Sequence, residues 1–259
     1  MRYEIHYSCI SNIGKIRKVN QDNFICDGQY LSENNQPAFP LSGKLPTKRP
    51  VLFGIFDGMG GEECGEVASL IAAEEATKPL NGNDHVIALA EFCKIANQRI
   101  CDYASENGVS SMGTTAAMLL FSKDEITLCN IGDSKIFICS NGELSQISVD
   151  HVAPAPFGRK PPLSQNLGIP PEEMIIEPFL SKGECVIGDR FLVCSDGVTD
   201  MLTNEEIFNI ISEKPVEEAM TELVDAALER GGKDNTTAIL LEVKKKRCSL
   251  FCRKQTKLK

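Results

Sequence analysis

The sequence lacks the features that would assign it to several familiar classes. No apolar run reaches the roughly 20 residues that a membrane-spanning helix needs. The opening segment MRYEIHYSC alternates like a strand and has no long apolar stretch of the secretory-signal kind, so the expected location is the cytoplasm. No CxxC occurs among the 11 cysteines, which argues against a zinc ribbon and against a thioredoxin-type dithiol. Cys9, Cys93, Cys129, Cys139 and Cys194 fall in apolar stretches and read as small buried thiols in a reducing compartment. There is no Gly-Lys-Ser/Thr phosphate loop and no D-x-D-x-D-G calcium loop. Neither an internal repeat nor a linker is evident. One domain is therefore expected over about residues 1–243, followed by a basic tail, 244–259.

Charge is unevenly placed. The net charge is −9, yet the tail KKKRCSLFCRKQTKLK holds eight basic residues and no acid, which leaves the preceding body at −17. An acidic body argues against non-specific nucleic-acid binding and suits a site that gathers carboxylates around divalent cations. The tail reads first as a solvated, disordered end. The other readings are attraction to anionic membrane, through eight basic residues around Leu250 and Phe251, and acylation at Cys248 or Cys252.

Periodicity predicts strands over Tyr3–Cys9, Asn23–Asp27 and Val51–Phe56. Residues 29–50, with prolines at 37, 40, 46 and 50, read as an irregular excursion. Helices are expected over Glu62–Thr77 and Asp84–Glu106. A run of strands follows over Thr114–Phe121, Glu125–Asn130, Lys135–Ser140 and Glu143–Ser148. Asn141-Gly142 supplies a type I′ hairpin turn within it. Residues 150–182 are rich in Pro and Gly and read as a long insert with one short strand near Met174–Phe179. Arg190–Cys194 is a second strongly apolar strand. Thr203 to Glu206 forms a capping box for a helix over Ile207–Ser212. A further helix, Pro215–Arg230, and a strand, Thr236–Val243, close the domain. Helices in two blocks between groups of hairpin-linked strands predict antiparallel sheets covered by helices.

Two of the apolar strands run into Asp-Gly: VLFGIFDGMGG at 51–61 and FLVCSDG at 191–197. A dinucleotide site would also place glycines after a strand, but here the third required glycine is Glu63, and Asp57 would repel a pyrophosphate. The acids themselves fit better. Asp22, Asp57, Asp133, Asp196 and Asp234 each sit in a turn beside a strand edge, and hard cations such as Mg²⁺ and Mn²⁺ take carboxylates, carbonyls and water.

The ordered set resembles the metal-dependent protein phosphatase family, also called PPM or protein phosphatase 2C, in its bacterial form. The matching pieces are Gly14-Lys-Ile-Arg17 with Asn20-Gln21-Asp22, then Phe56-Asp57-Gly58-Met59-Gly60-Gly61 and Met112-Gly113-Thr114-Thr115. They continue with Asn130-Ile-Gly132-Asp133-Ser134-Lys135, Asp150-His151, Leu163–Gly168, Cys194-Ser195-Asp196-Gly197 and Lys233-Asp234-Asn235-Thr236-Thr237. The resemblance implies an α+β fold, a four-layer α-β-β-α sandwich of two antiparallel sheets flanked by helices. It implies a serine/threonine phosphatase in which a metal-activated water hydrolyses the phosphoester. Asp57 would bridge two core Mn²⁺ or Mg²⁺ ions, with the Gly58 carbonyl, Asp196 and Asp234 completing their shells. Asp133 would share a weaker third ion with Asp196. Arg17 would clamp the substrate phosphate, and Gln21 and Asp22 would support the metal-bound waters. Implied partners are phosphorylated Ser/Thr proteins, including a partner kinase or its substrates, and the chain is expected to be a monomer. The competing functions are a phosphoprotein-binding or sensor module of the same fold, and a phosphatase dedicated to one regulator such as an anti-anti-sigma factor.

The chain departs from the family pattern at three positions. Met59 stands where many eukaryotic members have His, and a thioether cannot donate a proton. Lys135 and Gln165 stand where Arg is common, which removes a guanidinium fork at each. The insert matches the family's flap. Its Arg159 and Lys160 read as two solvated charges, and His151 reads as a structural turn residue.

Overall fold

The computed structural model describes residues 3–246 apart from 33, 60–63, 81, 83 and 157. Most of the basic tail, with Cys248 and Cys252, therefore lies outside the described residues, as do Gly60 and Gly61. The strands are β1 (Tyr3–Asn12), β2 (Asp22–Ile25), β3 (Leu41–Pro46), β4 (Val51–Met59), β5 (Gly113–Thr114), β6 (Ala116–Ser122), β7 (Glu125–Ile131), β8 (Lys135–Ser140), β9 (Glu143–Gln146), β10 (Phe179–Glu184), β11 (Arg190–Cys194) and β12 (Thr236–Lys245). The helices are α1 (Gly65–Ala76), α2 (His85–Asn107), α3 (Asp196–Thr199), α4 (Asn204–Ile211) and α5 (Val216–Glu229).

The strands form two antiparallel sheets. One has the order β3-β1-β12-β11-β8-β9 and the other β10-β7-β6-β4-β2, with β5 pairing antiparallel with the end of β4. Alternation along each central strand divides the apolar residues between two layers. From β4, Phe53 and Ile55 enter the core between the sheets, while Phe56 faces α1 and α2. From β12, Ile239, Leu241 and Val243 join that same inter-sheet core, while Ala238 and Leu240 pack with α4 and α5. Three stacked cores follow, and they define the four-layer sandwich that the family resemblance implied.

Local signals set most boundaries. Asp84 caps α2 by accepting from the Val86 N–H at 3.0 Å. Thr203 and Glu206 form the reciprocal capping box of α4. Asn141 and Gly142 both adopt positive φ, 52° and 80°, as the β8–β9 turn requires.

Three expectations need correction, and one element was not anticipated. The excursion at 29–50 contains β3, an edge strand paired with β1 in the register Tyr7↔Gly43. Thr114–Phe121 is broken at Thr115, where the chain bonds to Asp57: the Thr115 N–H donates to the Asp57 carbonyl at 2.9 Å, and the Asp57 N–H donates to Thr115 Oγ1 at 3.0 Å. The strand of the insert is Phe179–Glu184, where it pairs with β7, and not Met174–Phe179. The one-turn helix α3, which begins at Asp196 itself, carries too few residues to show periodicity.

Candidate metal centre

The site is built where the ends of the two sheets meet. Asp22 and Asp57 are register partners at the ends of β2 and β4 in one sheet. Asp196 lies two residues after β11, where it opens α3, and Asp234 lies two residues before β12, so both flank strands of the other sheet. Ser195 ties the sheets together. Its N–H donates to the Thr237 carbonyl at 3.0 Å, and its hydroxyl donates to Asp22 Oδ2 at 2.8 Å.

Asn235, to which the sequence assigned no role, fixes the loop that carries Arg17. Its side-chain amide donates to the carbonyls of Ile13 and Val19, at 2.9 and 3.0 Å, and its Oδ1 accepts from the Gln21 N–H at 2.8 Å. The only signal for this was its place in the Lys-Asp-Asn run. Arg17 thereby reaches Asp234, with Nη2 2.6 Å from Oδ2. Gln21 reaches Glu66 at 3.4 Å, and its carbonyl accepts from the Gly58 N–H at 3.0 Å.

Two glycines make the packing possible. A Cβ on Gly58 would lie 2.2 Å from the Gly65 carbonyl oxygen, and one on Gly197 would lie 2.0 Å from that of Asn235. Both contacts are with backbone, which has little room to yield. Asp133 is placed by its neighbours: Ser134 Oγ lies 2.7 Å from the same Thr115 hydroxyl that binds Asp57.

The electrostatics are one-sided. Burial pushes the Asp57 carboxyl well above its ordinary range, and Asp22, Asp196, Asp133 and Asp234 push it further. Burial raises Asp22 to about 7, against hydrogen bonds from Thr237 and Ser195 that favour its charged form. Burial also raises Asp133 and Asp196, in each case opposed by Lys160. Among the described residues, Asp57, Asp22 and Asp133 make no ion pair, whereas Asp234 is held by Arg17 and Asp196 by Lys160.

Lys160 corrects the reading of the flap charges as solvated. Its ammonium contacts Asp196 and lies 3.2 Å from Asp200 Oδ2. The other positions singled out in the sequence are held by partners near the flap. Lys135 pairs with Asp150, Gln165 Oε1 accepts from the Glu177 N–H at 2.9 Å, and His151 Nδ1 accepts from the Gly132 N–H at 3.2 Å. That last bond, with burial lowering the imidazole pKa, suits the structural role expected for His151.

Among the described residues no three His, Cys, Asp or Glu side chains converge closely enough to hold an ion as they stand. Two of the acids are instead ion-paired, Asp234 with Arg17 and Asp196 with Lys160. The donor set nevertheless fits a hard divalent cation. It consists of oxygen donors only, it is largely buried, and at Asp57 it has no cationic partner of its own.

The Protein phosphatase 2C family model matches residues 40–240. The chain belongs to that family. It is 32% identical over 254 residues to the serine/threonine protein phosphatase PstP of Mycobacterium tuberculosis, covering 92% of this chain but 45% of the relative. The chain thus spans about half the length of that protein. Over 258 residues it is 27% identical to the serine/threonine phosphatase stp of Listeria welshimeri, covering 92% of this chain and 96% of the relative. Among solved structures, the catalytic domain of PstP in complex with two manganese ions superposes with a TM-score of 0.75 at 28% identity, covering 94% of this chain and all of that one. Members of this family share the two-sheet architecture seen here.

Proposed function

We propose that the chain is a metal-dependent protein serine/threonine phosphatase that hydrolyses phosphoserine and phosphothreonine esters. The observation that carries this reading is the cluster of buried carboxylates around Asp57, drawn from both sheets, of which Asp22, Asp57 and Asp133 have no ion-pair partner among the described residues, with Arg17 at its rim. The manganese pair in the PstP structure supports it. In this reading Asp57, the Gly58 carbonyl, Asp196 and Asp234 hold two Mn²⁺ or Mg²⁺ ions, and Asp133 shares a third, weaker one with Asp196. Bound there, the ions supply Lewis acidity: they lower the pKa of water and neutralise phosphoryl oxygens.

The chain's own groups do the rest. Arg17 is about half exposed, at 49%, and spends one contact on Asp234. Its planar fork therefore keeps donors for two phosphate oxygens and seats the ester beside the acids. Asp22, fixed by Ser195, and Gln21, fixed by Asn235, orient water on the side of β2. The Asn235 and Thr115 hydrogen bonds hold these groups before substrate arrives, so little reorganisation is needed during reaction. Met59 ends β4 and is 38% exposed. Its thioether has no proton for the leaving serine or threonine oxygen, so that proton comes from water.

The catalytic unit is the sandwich, with residues 150–182 as its flap. Its substrates are phosphorylated Ser/Thr proteins, among them a partner kinase or that kinase's targets. It works as a monomer in the cytoplasm. Among the described residues no helix is long and apolar enough to cross a membrane.

Hydrolysis of a phosphothreonine peptide tests the reading. Activity is expected with Mn²⁺, and a loss of at least a hundredfold, on the order seen when a key electrostatic group is removed, is expected in EDTA or in Asp57→Asn and Asp196→Asn. Activity that survives chelation or either substitution would refute it.

A further inference from the structure

Among the described residues, Lys160 is the one flap side chain that the structure places on a residue of the carboxylate set. Its ammonium sits between Asp196 and Asp200, and Asp133 also acts on it. Asp196 is 15% exposed at its side chain and Lys160 50%, so the contact is partly shielded from water and from salt. The contact is also long-range, because Lys160 reaches back from the insert to the first turn of α3, 36 residues further along the chain. Arg159, its neighbour, makes no ion pair among the described residues. Its backbone N–H closes a turn on the Pro156 carbonyl at 3.1 Å. The flap thus presents two adjacent cations but commits only one of them.

We propose that Lys160 is a built-in cation for the Asp133–Asp196–Asp200 corner, so that a divalent ion must displace it from Asp196 and metal loading unlatches the flap. The inference rests on the metal-dependent reading above. It follows from two facts. A carboxylate held by an ammonium has fewer lone pairs to give a metal, and an ammonium next to a divalent ion repels it. By linkage, a flap contact that weakens metal binding is itself weakened by the metal to the same extent. The corner affected is the one expected to hold the weaker third ion. The same carboxylate, Asp196, also serves the core pair, so the latch bears on the total number of ions held.

The geometry gives the flap its own reporters. The Ala153 N–H donates to the Pro162 carbonyl at 2.9 Å, and the Ser164 N–H donates to that of His151 at 2.9 Å. These amides, with that of Arg159, lie in the segment anchored by Lys160 and do not touch the acids.

The test is Mn²⁺ binding by calorimetry, with amide hydrogen exchange of residues 151–165, on the full chain and on Lys160→Gln and Arg159→Gln. The two variants lose the same charge, but only one loses the contact. For Lys160→Gln the weakest Mn²⁺ site is expected to tighten about three- to tenfold, the size of a partly exposed ion pair. Arg159→Gln is expected to stay within twofold of the unmodified chain. Mn²⁺ is expected to speed exchange at Ala153, Arg159 and Ser164 in the unmodified chain. In Lys160→Gln these amides are already fast, and Mn²⁺ leaves them unchanged. Equal Mn²⁺ affinity in all three proteins overturns the latch while leaving the metal-dependent reading intact. So does flap exchange that ignores Mn²⁺ in the unmodified chain. No Mn²⁺ binding by any of them overturns both.

Discussion

Asp22 and Asp57 stand opposite each other in the register of β2 and β4, and neither has a cationic partner among the described residues. Like charges at directly opposed positions of a sheet are destabilising, by about 0.2–1 kcal/mol in ordinary settings, and burial enlarges the effect here. Under the proposed function the fold carries this conflict because the pair serves the metal site and not stability. The metal-free protein is therefore expected to gain from Asp57→Asn. Its melting temperature in EDTA should rise by about 2–4 °C for each kcal/mol relieved, while the large upward shift that Mn²⁺ gives the unmodified chain disappears. Thermal unfolding with and without Mn²⁺ measures both. A variant that melts below the unmodified chain in EDTA would show that Asp57 is a structural acid.

Gly58 and Gly197 lie against backbone with no space for a methyl group. Gly197→Ala is expected to destabilise by about 2–3 kcal/mol, in the range of overpacked cores. It should also weaken Mn²⁺ binding, because the shift it forces moves Asp196 away from Asp234. Gly183, with nothing within 4 Å of its Cβ position, is the control: Gly183→Ala should leave both quantities near their original values. Denaturant melts and Mn²⁺ titration distinguish the two variants.

Tyr7 offers a prediction far from the acids. Its hydroxyl donates to Asp27 Oδ2 at 2.7 Å, and burial, followed by Asp27, raises its pKa well above the ordinary value. A phenol raised in the folded state contributes stability that is complete below the unfolded pKa of about 10 and is lost as pH climbs through the folded value. Tyr7 should therefore ionise late, and only with unfolding. Absorbance titration at 295 nm (the tyrosinate band) is expected to show a late alkaline phase that coincides with loss of far-UV ellipticity. Tyr7→Phe should remove it. A late phase that persists in Tyr7→Phe would assign it elsewhere.

The same tyrosine shows why part of the fold was hidden in the sequence. The segment Leu41–Pro46, LSGKLP, has a glycine, a proline and a lysine, all poor strand formers. It becomes β3 because Gly43 lies opposite Tyr7 and leaves room for that ring, whose hydroxyl would be 2.6 Å from any Cβ there. That reason lies in a partner strand, not in local pattern. By contrast, Arg190–Cys194 was legible to the residue, because a buried central strand carries a continuous apolar run, here Phe191–Cys194, behind an Arg190 that pairs with Glu242. The site divides the same way. The five aspartates stood out because the sequence put each at a strand edge; Asp133 and Asp234 do lie between elements, whereas Asp22 and Asp57 belong to β2 and β4 and Asp196 opens α3. Lys160 was not, since a charged loop residue carries no local sign of a carboxylate 36 positions away. Asn235 was visible as part of a motif, but its three hydrogen bonds depend on loops more than 200 residues distant in sequence.

Met59 provides a last test, and it concerns chemistry more than folding. The residue ends β4 two positions after Asp57, with β5 beside it in the register Met59↔Gly113. It is partly exposed, and no titrating side chain occupies its position. The unmodified chain should therefore show no ionisation of a side-chain acid from this position in its kcat profile. Met59→His would place an imidazole there, with an ordinary pKa near 6.5. If that imidazole reaches the leaving oxygen, its protonated form should act as general acid. The variant should then gain rate below about pH 6.5 and lose the gain above it. The gain should be largest for phosphoserine and phosphothreonine peptides, whose alkoxide leaving groups need a proton. It should be small for an aryl phosphate, whose phenolate leaves without one. Comparing kcat across pH for the two substrate types, in both proteins, isolates the effect. A new acidic limb of equal size for both substrates would place the imidazole on the metal site instead of on the leaving group.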